Sequence, residues 1–182
     1  MLLYHVSYRP IPVFYPLIPK HRLDTENNKI PRICTAASIE DCIMAKAGQG
    51  EFLRLCLEAD LPCVIYVYTF EIDKDDPNLI LPEDLEQNYG VLDAVATLEH
   101  WICDDRQPIR SQVLRITDAA WTGPWLGSLK TKPAERKDML FVDLAEKIQK
   151  QQHKIIEPDE VFPQVWDAVL QNINARLHAS HE

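Results

Sequence analysis

Three aspartates at the end of an apolar strand are the residues whose spacing most directly suggests chemistry. The run from Cys63 to Phe70 is apolar, β-branched and aromatic, which is typical of a strand covered on both faces. Directly after it, Asp73, Asp75 and Asp76 bring three like charges into four residues. Such a cluster needs solvent, a cation or a positively charged ligand. A solvated turn that ends the strand is the simpler interpretation.

Two more polar residues, His5 and Glu99, lie in segments that are predicted to be strands. On residue type alone, a single histidine on a strand is more often a surface or core residue than a functional one. Glu99, beside His100 and Trp101, fits an outward-facing strand residue as well as a catalytic carboxylate. The chain contains no G-x-G-x-x-G, P-loop or G-x-S-x-G sequence, so Rossmann, Walker-type and nucleophile-elbow sites have no support.

The elements that would position these residues begin with a short strand over Leu2 to Tyr8. Four prolines in residues 9–20 prevent a regular ladder or helix there, so this segment is predicted to be an extended arm or lid. A second short strand is predicted over Arg32 to Ala36. Ser38, with an acidic residue three positions later, is predicted to cap a helix that runs to about Ala47.

Glycines interrupt the helical pattern that follows. Gly48 and Gly50 are predicted to end the first helix, and residues 51–59 form a second helical piece with one apolar face. Beyond the aspartates, proline, glycine and acidic residues are mixed, which predicts a long loop with a short helix near Glu83 to Gln87. Long loops inside compact domains are often functional.

The second half of the chain is predicted to change from strands to helices. Thr97 to Cys103 and Gln112 to Asp118 are predicted as two strands of a hairpin, joined by the turn DDRQP. WTGPWLG, at 121–127, is predicted to be an aromatic loop. Residues 135–152 and 159–178 both have helical periodicity, and the apolar stripe of the second is typical of core packing.

Composition indicates one globular domain. The 182 residues suffice for a single core, and 46% hydrophobic with 26% charged residues argues against disorder. The apolar stretches are shorter than the about 20 residues of a membrane span, and the first residues do not resemble a signal peptide, so we expect a cytoplasmic protein. Five cysteines without a CxxC spacing predict free thiols, and the scattered histidines predict no metal site.

The net charge of -9 is distributed unevenly. Residues 1–37 have five basic and two acidic groups, whereas residues 38–107, the acidic middle, have four basic and sixteen acidic groups, or -12. Residues 108–182 are balanced. Because a protein that grips a nucleic-acid backbone usually presents an extended basic face, direct duplex binding is disfavoured. An acidic middle is suited to a basic protein partner or to mimicry of nucleic acid.

Four segments, taken in chain order, resemble ADP-ribosyltransferases, and the rifampin ADP-ribosyltransferases are the most similar family. They are LYHVS at 3–7, ICTAASIEDCIMAKA at 33–47, VIYVYTFEIDKDDPNL at 64–79 and TLEHWICDDRQPIRSQVLRI at 97–116. The strand followed by DDPNL is the sharpest similarity. The resemblance covers roughly residues 2–118. RNA 2'-phosphate transferases and DNA-modifying toxin enzymes share this order of elements.

The resemblance implies an α+β fold in which split mixed β-sheets with flanking helices hold NAD in the cleft between them. It implies an ADP-ribosyltransferase-like domain at 1–130 and leaves a C-terminal helical extension at 131–182, which we expect to pack on it. The activity it implies is an NAD-dependent mono-ADP-ribosyltransferase. Its acceptor, a protein, a nucleic acid or a small molecule, is set by loops that the sequence does not define.

The resemblance also implies which residues contact NAD. These are His5, Ser7, Arg32, Cys34 and Ser38. His5 matches a first-strand histidine that would hydrogen-bond the ribose next to the nicotinamide. Arg32, with Arg22, is suited to the pyrophosphate because guanidinium makes bidentate phosphate contacts, although a surface ion pair explains either arginine. Ser38 begins the helix of the second motif, where a plain capping role also suffices.

The catalytic carboxylate has two candidate positions. Asp75 or Asp76 matches the acidic DDPN turn of the rifampin family, whereas Glu99 matches the glutamate of many other members. Breaking the nicotinamide glycosidic bond builds positive charge on the ribose ring. A preorganised carboxylate near that carbon therefore stabilises the transition state more than the ground state.

The chain departs from the family pattern at two positions. Cys34 or Ile33 stands where the family has a tyrosine against the nicotinamide, and Val6 replaces the glycine of the first motif. These departures favour an alternative, a catalytically silent protein of the same fold that binds a partner through its acidic middle. A relative of the RNA 2'-phosphate transferases is a third possibility, although the further His and Arg positions of that group are not evident.

Overall fold

The computed structural model describes residues 1–19, 26–46, 48–58 and 60–139. Within these ranges the chain forms seven strands and three helices. In chain order they are β1 (Leu2–Ser7), β2 (Ile33–Ala36), α1 (Ile39–Met44), α2 (Gln49–Glu58), β3 (Cys63–Glu71), β4 (Leu79–Ile80), α3 (Pro82–Asn88), β5 (Glu99–Ile102), β6 (Arg110–Thr122) and β7 (Trp125–Pro133).

One sheet contains all of these strands in the order β4-β5-β2-β1-β3-β6-β7. Helices and this sheet together confirm the broad α+β class. The expectation of mixed sheets is wrong for the described residues, because every neighbouring pair of strands is antiparallel.

The sheet is nearly divided between β1 and β2. These two strands share one pair of register partners, Tyr4 and Ala36. By contrast, β1 pairs with β3 along its whole length, from Leu2 to Ser7. We call the β1–β2 boundary the seam. It separates a half made of β4, β5 and β2 from a half made of β1, β3, β6 and β7.

The central strand β3 confirms the prediction of a strand covered on both faces. From Cys63 to Phe70, every side chain except Tyr66 is buried. One apolar cluster on the sheet includes Leu3, Tyr68 and Phe70. A second, built around Trp101, includes Leu85, Val91 and Ala94. Successive positions of β3 are buried, so both faces of this strand are covered, which explains why it lacks a polar alternation.

The predicted hairpin of residues 97–103 and 112–118 is wrong. β5 pairs with β2 and β4, whereas β6 pairs with β3 and β7. β5 therefore lies between two strands inside its half of the sheet, and all four of its side chains are buried. Closeness in sequence suggested that β5 pairs with β6, but β2 and β4 occupy the two edges of β5.

The segment WTGPWLG is the turn of a hairpin and not an aromatic loop. β6 continues to Thr122, which pairs with Trp125, so Gly123 and Pro124 are the two turn residues. Gly123 has φ of 59°, as a type II′ turn requires at its first central position. β7 then runs through Pro133, so residue 130, where the first domain is predicted to end, lies inside a strand.

The helices follow the predicted capping pattern with one correction. The Ser38 hydroxyl accepts a hydrogen bond from the Asp41 backbone N–H at 3.0 Å and caps α1. Gly48, with φ of 76°, separates α1 from α2. Gly50 does not end a helix, because it lies within α2. A Cβ at this position would stand 3.2 Å from the Met44 sulfur, which is a tight contact. α3 confirms the predicted short helix after the aspartates.

The chain divides into two compact units, Met1–Asp138 and Met139–Glu182. All the strands and helices described here belong to the first unit. The predicted helix at 159–178, most of the helix at 135–152 and the expected packing of the C-terminal extension lie outside the described residues.

Candidate functional site

His5 lies at the seam, one residue beyond the single β1–β2 register pair. Its Nδ1 is 2.7 Å from the backbone oxygen of Cys34 on β2. Because a carbonyl only accepts hydrogen bonds, Nδ1 carries the proton and Nε2 is the acceptor of the neutral ring. Loss of water around the half-buried ring lowers the pKa of His5 below its ordinary 6.5. The imidazole is therefore neutral at physiological pH and held in one tautomer.

The proline-rich arm covers His5. The Phe14 ring stands edge-on to the imidazole, with 5.3 Å between ring centroids, and also packs against Tyr68. Gln107 holds Phe14 in place from the chain that follows β5: its amide NH₂ donates to the Phe14 carbonyl at 2.7 Å, and its side-chain oxygen accepts from the Phe14 N–H at 3.2 Å. The Tyr68 hydroxyl accepts from the Ile11 N–H at 2.6 Å.

Glu99 begins β5 and is buried, with 8% of its surface exposed. One carboxylate oxygen accepts a hydrogen bond from the Trp101 indole at 2.7 Å. Burial raises the pKa of Glu99 to about 7, and the charges of Glu26 and Asp93 act in the same direction. Near neutral pH this carboxyl group therefore exists in both protonation states, as a proton-transfer group or a switchable anion requires.

The structure places His5 and Glu99 on the two sides of β2 without joining them. Ala36 on β2 pairs with Tyr4 on one side and with Glu99 on the other. Since successive strand residues point to opposite faces, His5 leaves β1 on the face opposite to Tyr4 and Glu99. Their contacts agree with this arrangement, because His5 packs with Phe14 and Glu99 bonds to Trp101.

The acidic turn is held by its own hydrogen bonds and by an ion pair to Arg106. Asp76 accepts a hydrogen bond from the Asn78 N–H at 2.9 Å and pairs with Arg106 at 2.8 Å. Both contacts lower the pKa of Asp76, and the hydrogen bond from the Asn78 N–H has the larger effect. Asp75 is exposed, and its own N–H donates to the Asp73 side chain at 3.2 Å. Neither aspartate has a described contact with His5 or Glu99.

Arg32 is buried and its guanidinium is engaged inside the protein. Nη1 donates to the backbone oxygens of Asn27 and Ile30, each at 3.0 Å, and Nη2 pairs with Glu26. The guanidinium also stacks over Trp101, 3.6 Å from the ring centroid. In this arrangement Arg32 stabilises the chain that leads into β2 and does not present a phosphate-binding edge. Arg22, the other predicted pyrophosphate ligand, lies outside the described residues.

The remaining predicted NAD contacts have local roles. Ser7 accepts a hydrogen bond from the Arg9 N–H at 3.1 Å. Ser38 donates its hydroxyl hydrogen to the Asp41 carboxylate at 2.6 Å in addition to capping α1. Burial, and secondarily the charge of Glu99, raises the pKa of Cys34 to about 12, so its thiol stays protonated and is a poor nucleophile.

Sequence reasoning missed the residues that cover and flank the predicted site. Phe14 was identified only as part of a proline-rich arm, and Gln107 only as part of a turn. Phe14 and Tyr15 are adjacent aromatic residues among the prolines, a signal for a buried anchor in this otherwise extended segment, although the sequence does not show that Phe14 is the buried one. Nothing in the sequence indicated that Gln107, 93 residues away, would bind its backbone.

No protein-family model, curated protein or solved structure matches the chain. Any functional assignment must therefore be supported by the geometry alone. Among the described residues, no three His, Cys, Asp or Glu side chains are grouped to hold a metal ion. In the same ranges, no helix has the length and apolarity to cross a membrane. All five cysteines are free thiols.

Proposed function

We propose that this protein is an NAD-dependent mono-ADP-ribosyltransferase whose NAD site lies at the seam. The observation that supports it is the position of His5: a neutral imidazole with a fixed tautomer stands where β1 and β2 separate. Glu99 flanks the same segment of β2 from the opposite side. A dinucleotide at the seam would meet His5 directly. Glu99 lies across β2 and on the opposite face of the sheet, so it would act on the same ligand only if β2 and β5 rotate as the two halves of the sheet separate.

In the proposed reaction the bond between nicotinamide and the ribose C1′ breaks, nicotinamide leaves, and an acceptor nucleophile bonds to C1′. The ribose becomes positively charged in the transition state, and ionised Glu99 stabilises it. His5, through Nε2, accepts a hydrogen bond from a ribose hydroxyl. Because the pKa of Glu99 is about 7, the rate rises as pH increases through that value.

NAD would displace the proline-rich arm from this site. Phe14 occupies the space beside the imidazole, so the arm must open before a ribose reaches His5. Gln107 supplies two hydrogen bonds to the closed arm. Each contributes about 1 kcal/mol, which a bound dinucleotide can offset.

The test is to incubate the full chain with labelled NAD and measure nicotinamide release. Q107A should increase turnover by loosening the arm, whereas Q87A, on an exposed helix position, should leave it unchanged. E99Q should lower turnover by roughly 10²-fold, since it removes the transition-state charge, while the exposed control E58Q should not. Absence of both nicotinamide release and NAD binding in calorimetry, for the wild type and Q107A, would reject the proposal.

A second candidate is a catalytically silent binding protein that uses the acidic middle. The placement of side chains favours it, because Phe14 covers His5, and Trp101 and Arg32 surround Glu99. This protein would bind a basic partner and not NAD. Binding of poly-lysine that weakens with added salt, together with no NAD binding in calorimetry, would support this candidate over the enzyme.

A further inference from the structure

An open cleft of about 490 Å³ lies between the α1–α2 junction and the turn of the β6–β7 hairpin. We call it the hairpin pocket. Its lining includes Lys46, Arg54, Glu51 and Trp121, together with Gly50 and Gly123. It has no residue in common with the seam. Its volume lies within the roughly 300–1,000 Å³ typical of small-molecule sites.

Glycines shape two edges of the hairpin pocket. Gly48, which also lines it, has φ of 76°, and Gly123 has φ of 59°. A Cβ added at either position would meet nothing within 4 Å, so both edges are open backbone turns. Gly50 differs, because a Cβ there would lie 3.5 Å from the Trp121 ring. This distance is ordinary van der Waals contact, so α2 and the indole lie against each other and form one wall of the pocket.

Positive charge is concentrated at this pocket within a strongly acidic segment. The acidic middle contains only four basic residues, Lys46, Arg54, Lys74 and Arg106. Two of the four, Lys46 and Arg54, line the pocket, against a single lining acid, Glu51. Such convergence marks the pocket as the place in this segment where an anion is favoured.

An aromatic surface accompanies the charge. The Arg54 guanidinium stacks on Trp121, 4.6 Å from the ring centroid. Stacking orients the guanidinium while leaving its hydrogen-bond donors for an anion. A planar ligand can extend this stack, because guanidinium and indole planes both pair with nucleobases. The pocket thus combines a positive site with a planar apolar one.

We propose that the hairpin pocket binds a nucleoside monophosphate, or a ligand that ends in one. Lys46 and Arg54 bind the phosphate, and the base stacks on the Arg54–Trp121 pair. A mononucleotide supplies both chemistries in one ligand, and a cleft of about 490 Å³ can admit it. This inference is independent of the proposed NAD reaction, since the pocket involves neither His5 nor Glu99.

The experiment follows the indole N–H signal of Trp121 by NMR while the full chain is titrated with AMP, adenosine or inorganic phosphate. W121F identifies the signal. AMP should shift it in a saturable way, and adenosine and phosphate should each bind at least tenfold more weakly, because each lacks one half of the interaction. No saturable shift with AMP, or binding of adenosine equal to that of AMP, would overturn the proposal.

Two lysines of the acidic middle give a matched pair of variants. K46A should weaken AMP binding by about tenfold, since it removes a charged phosphate contact. K74A removes the same charge from the exposed acidic turn and should leave binding within about twofold, because exposed charges at a distance are screened by salt. Equal losses in the two variants would show a non-specific charge effect and overturn the proposal. Both variants should retain the NMR dispersion of the wild type.

Discussion

At the scale of the residue, Glu99 shows how burial changes the chemistry of an ordinary carboxyl group. Its side chain is buried with the Trp101 indole as a hydrogen-bond donor, and Arg32 stacks on that same indole. The favourable contacts with Trp101 and Arg32 do not outweigh the loss of water, so the pKa rises from 4.5 to about 7. Residue type and position suggested a functional carboxylate, but only the packing determined its protonation.

Glu99 should make the protein less stable as pH rises. The folded state holds this proton to a pH of about 7, whereas the unfolded chain releases it near 4.5, so the free energy of unfolding falls between these values. The loss attributable to Glu99 is at most about 3 kcal/mol. E99Q should remove this dependence, as measured by urea unfolding across the same pH range.

The comparison must be made as a difference between wild type and E99Q. Burial lowers the pKa of both His5 and His100, so these histidines make stability rise as pH approaches 6.5, opposite in sign to Glu99. They are present in both proteins and cancel. E58Q is the control for loss of an exposed carboxylate. Parallel curves for wild type and E99Q would contradict the assigned pKa.

At the scale of the element, the β6–β7 hairpin depends on two residues. Gly123 supplies the positive φ of the first turn position, and Pro124 restricts φ at the second. From the sequence alone, the glycine, the proline and two tryptophans predict a loop, because aromatic loops and turns use the same residues. The pairing of β6 with β7 shows that the segment is a hairpin turn. This pairing begins at Thr122 and Trp125 and continues along both strands away from the turn.

Substitution of the turn glycine should destabilise the protein. In G123A an L-residue must adopt φ of 59°, which costs about 1–2 kcal/mol. Thermal unfolding should therefore begin at a lower temperature. G127A is the matched control, because Gly127 lies within β7 and has no positive φ. An equal effect of the two substitutions would show that the backbone conformation at Gly123 is not the cause.

At the scale of the whole molecule, the seam determines how firmly the two halves of the sheet are held together. It is also the place of the proposed NAD site. One register pair joins β1 to β2, whereas the neighbouring β1–β3 pairing runs the length of β1. The half formed by β4, β5 and β2 is thus attached to the rest of the sheet by few backbone hydrogen bonds. A ligand that enters the sheet would separate the strands here at the lowest cost.

Amide hydrogen exchange should reveal that the two halves of the sheet differ in the free energy of local opening. Amides of β3 lie between two fully paired strands and should exchange only by global unfolding, whereas amides of β5 should exchange through a smaller opening. We expect a lower exchange free energy for Trp101 than for Ile65, although both side chains are fully buried. The same exchange free energy for both would contradict a weak seam.

By itself, the sequence determined the elements whose causes are local. Continuous apolar character predicted β3, the Ser38 cap predicted the start of α1, and Pro82 with the acids after it predicted α3. The two helix starts depend on contacts within a few residues. The burial of β3 requires apolar side chains whichever strands lie beside it. Glu99 and His5 were selected as candidates by the resemblance to ADP-ribosyltransferases, because residue type alone did not distinguish them from ordinary strand residues.

Only the tertiary structure decided which strands are neighbours and what surrounds each polar group. β5 could have paired with β6 or with β2 on its own pattern, since buried strands lack a distinctive face. The cover of Phe14 over His5, the stacking of Arg32 on Trp101 and the convergence of Lys46 with Arg54 all join residues that are distant in sequence. Their energies depend on three-dimensional proximity, which no local pattern encodes.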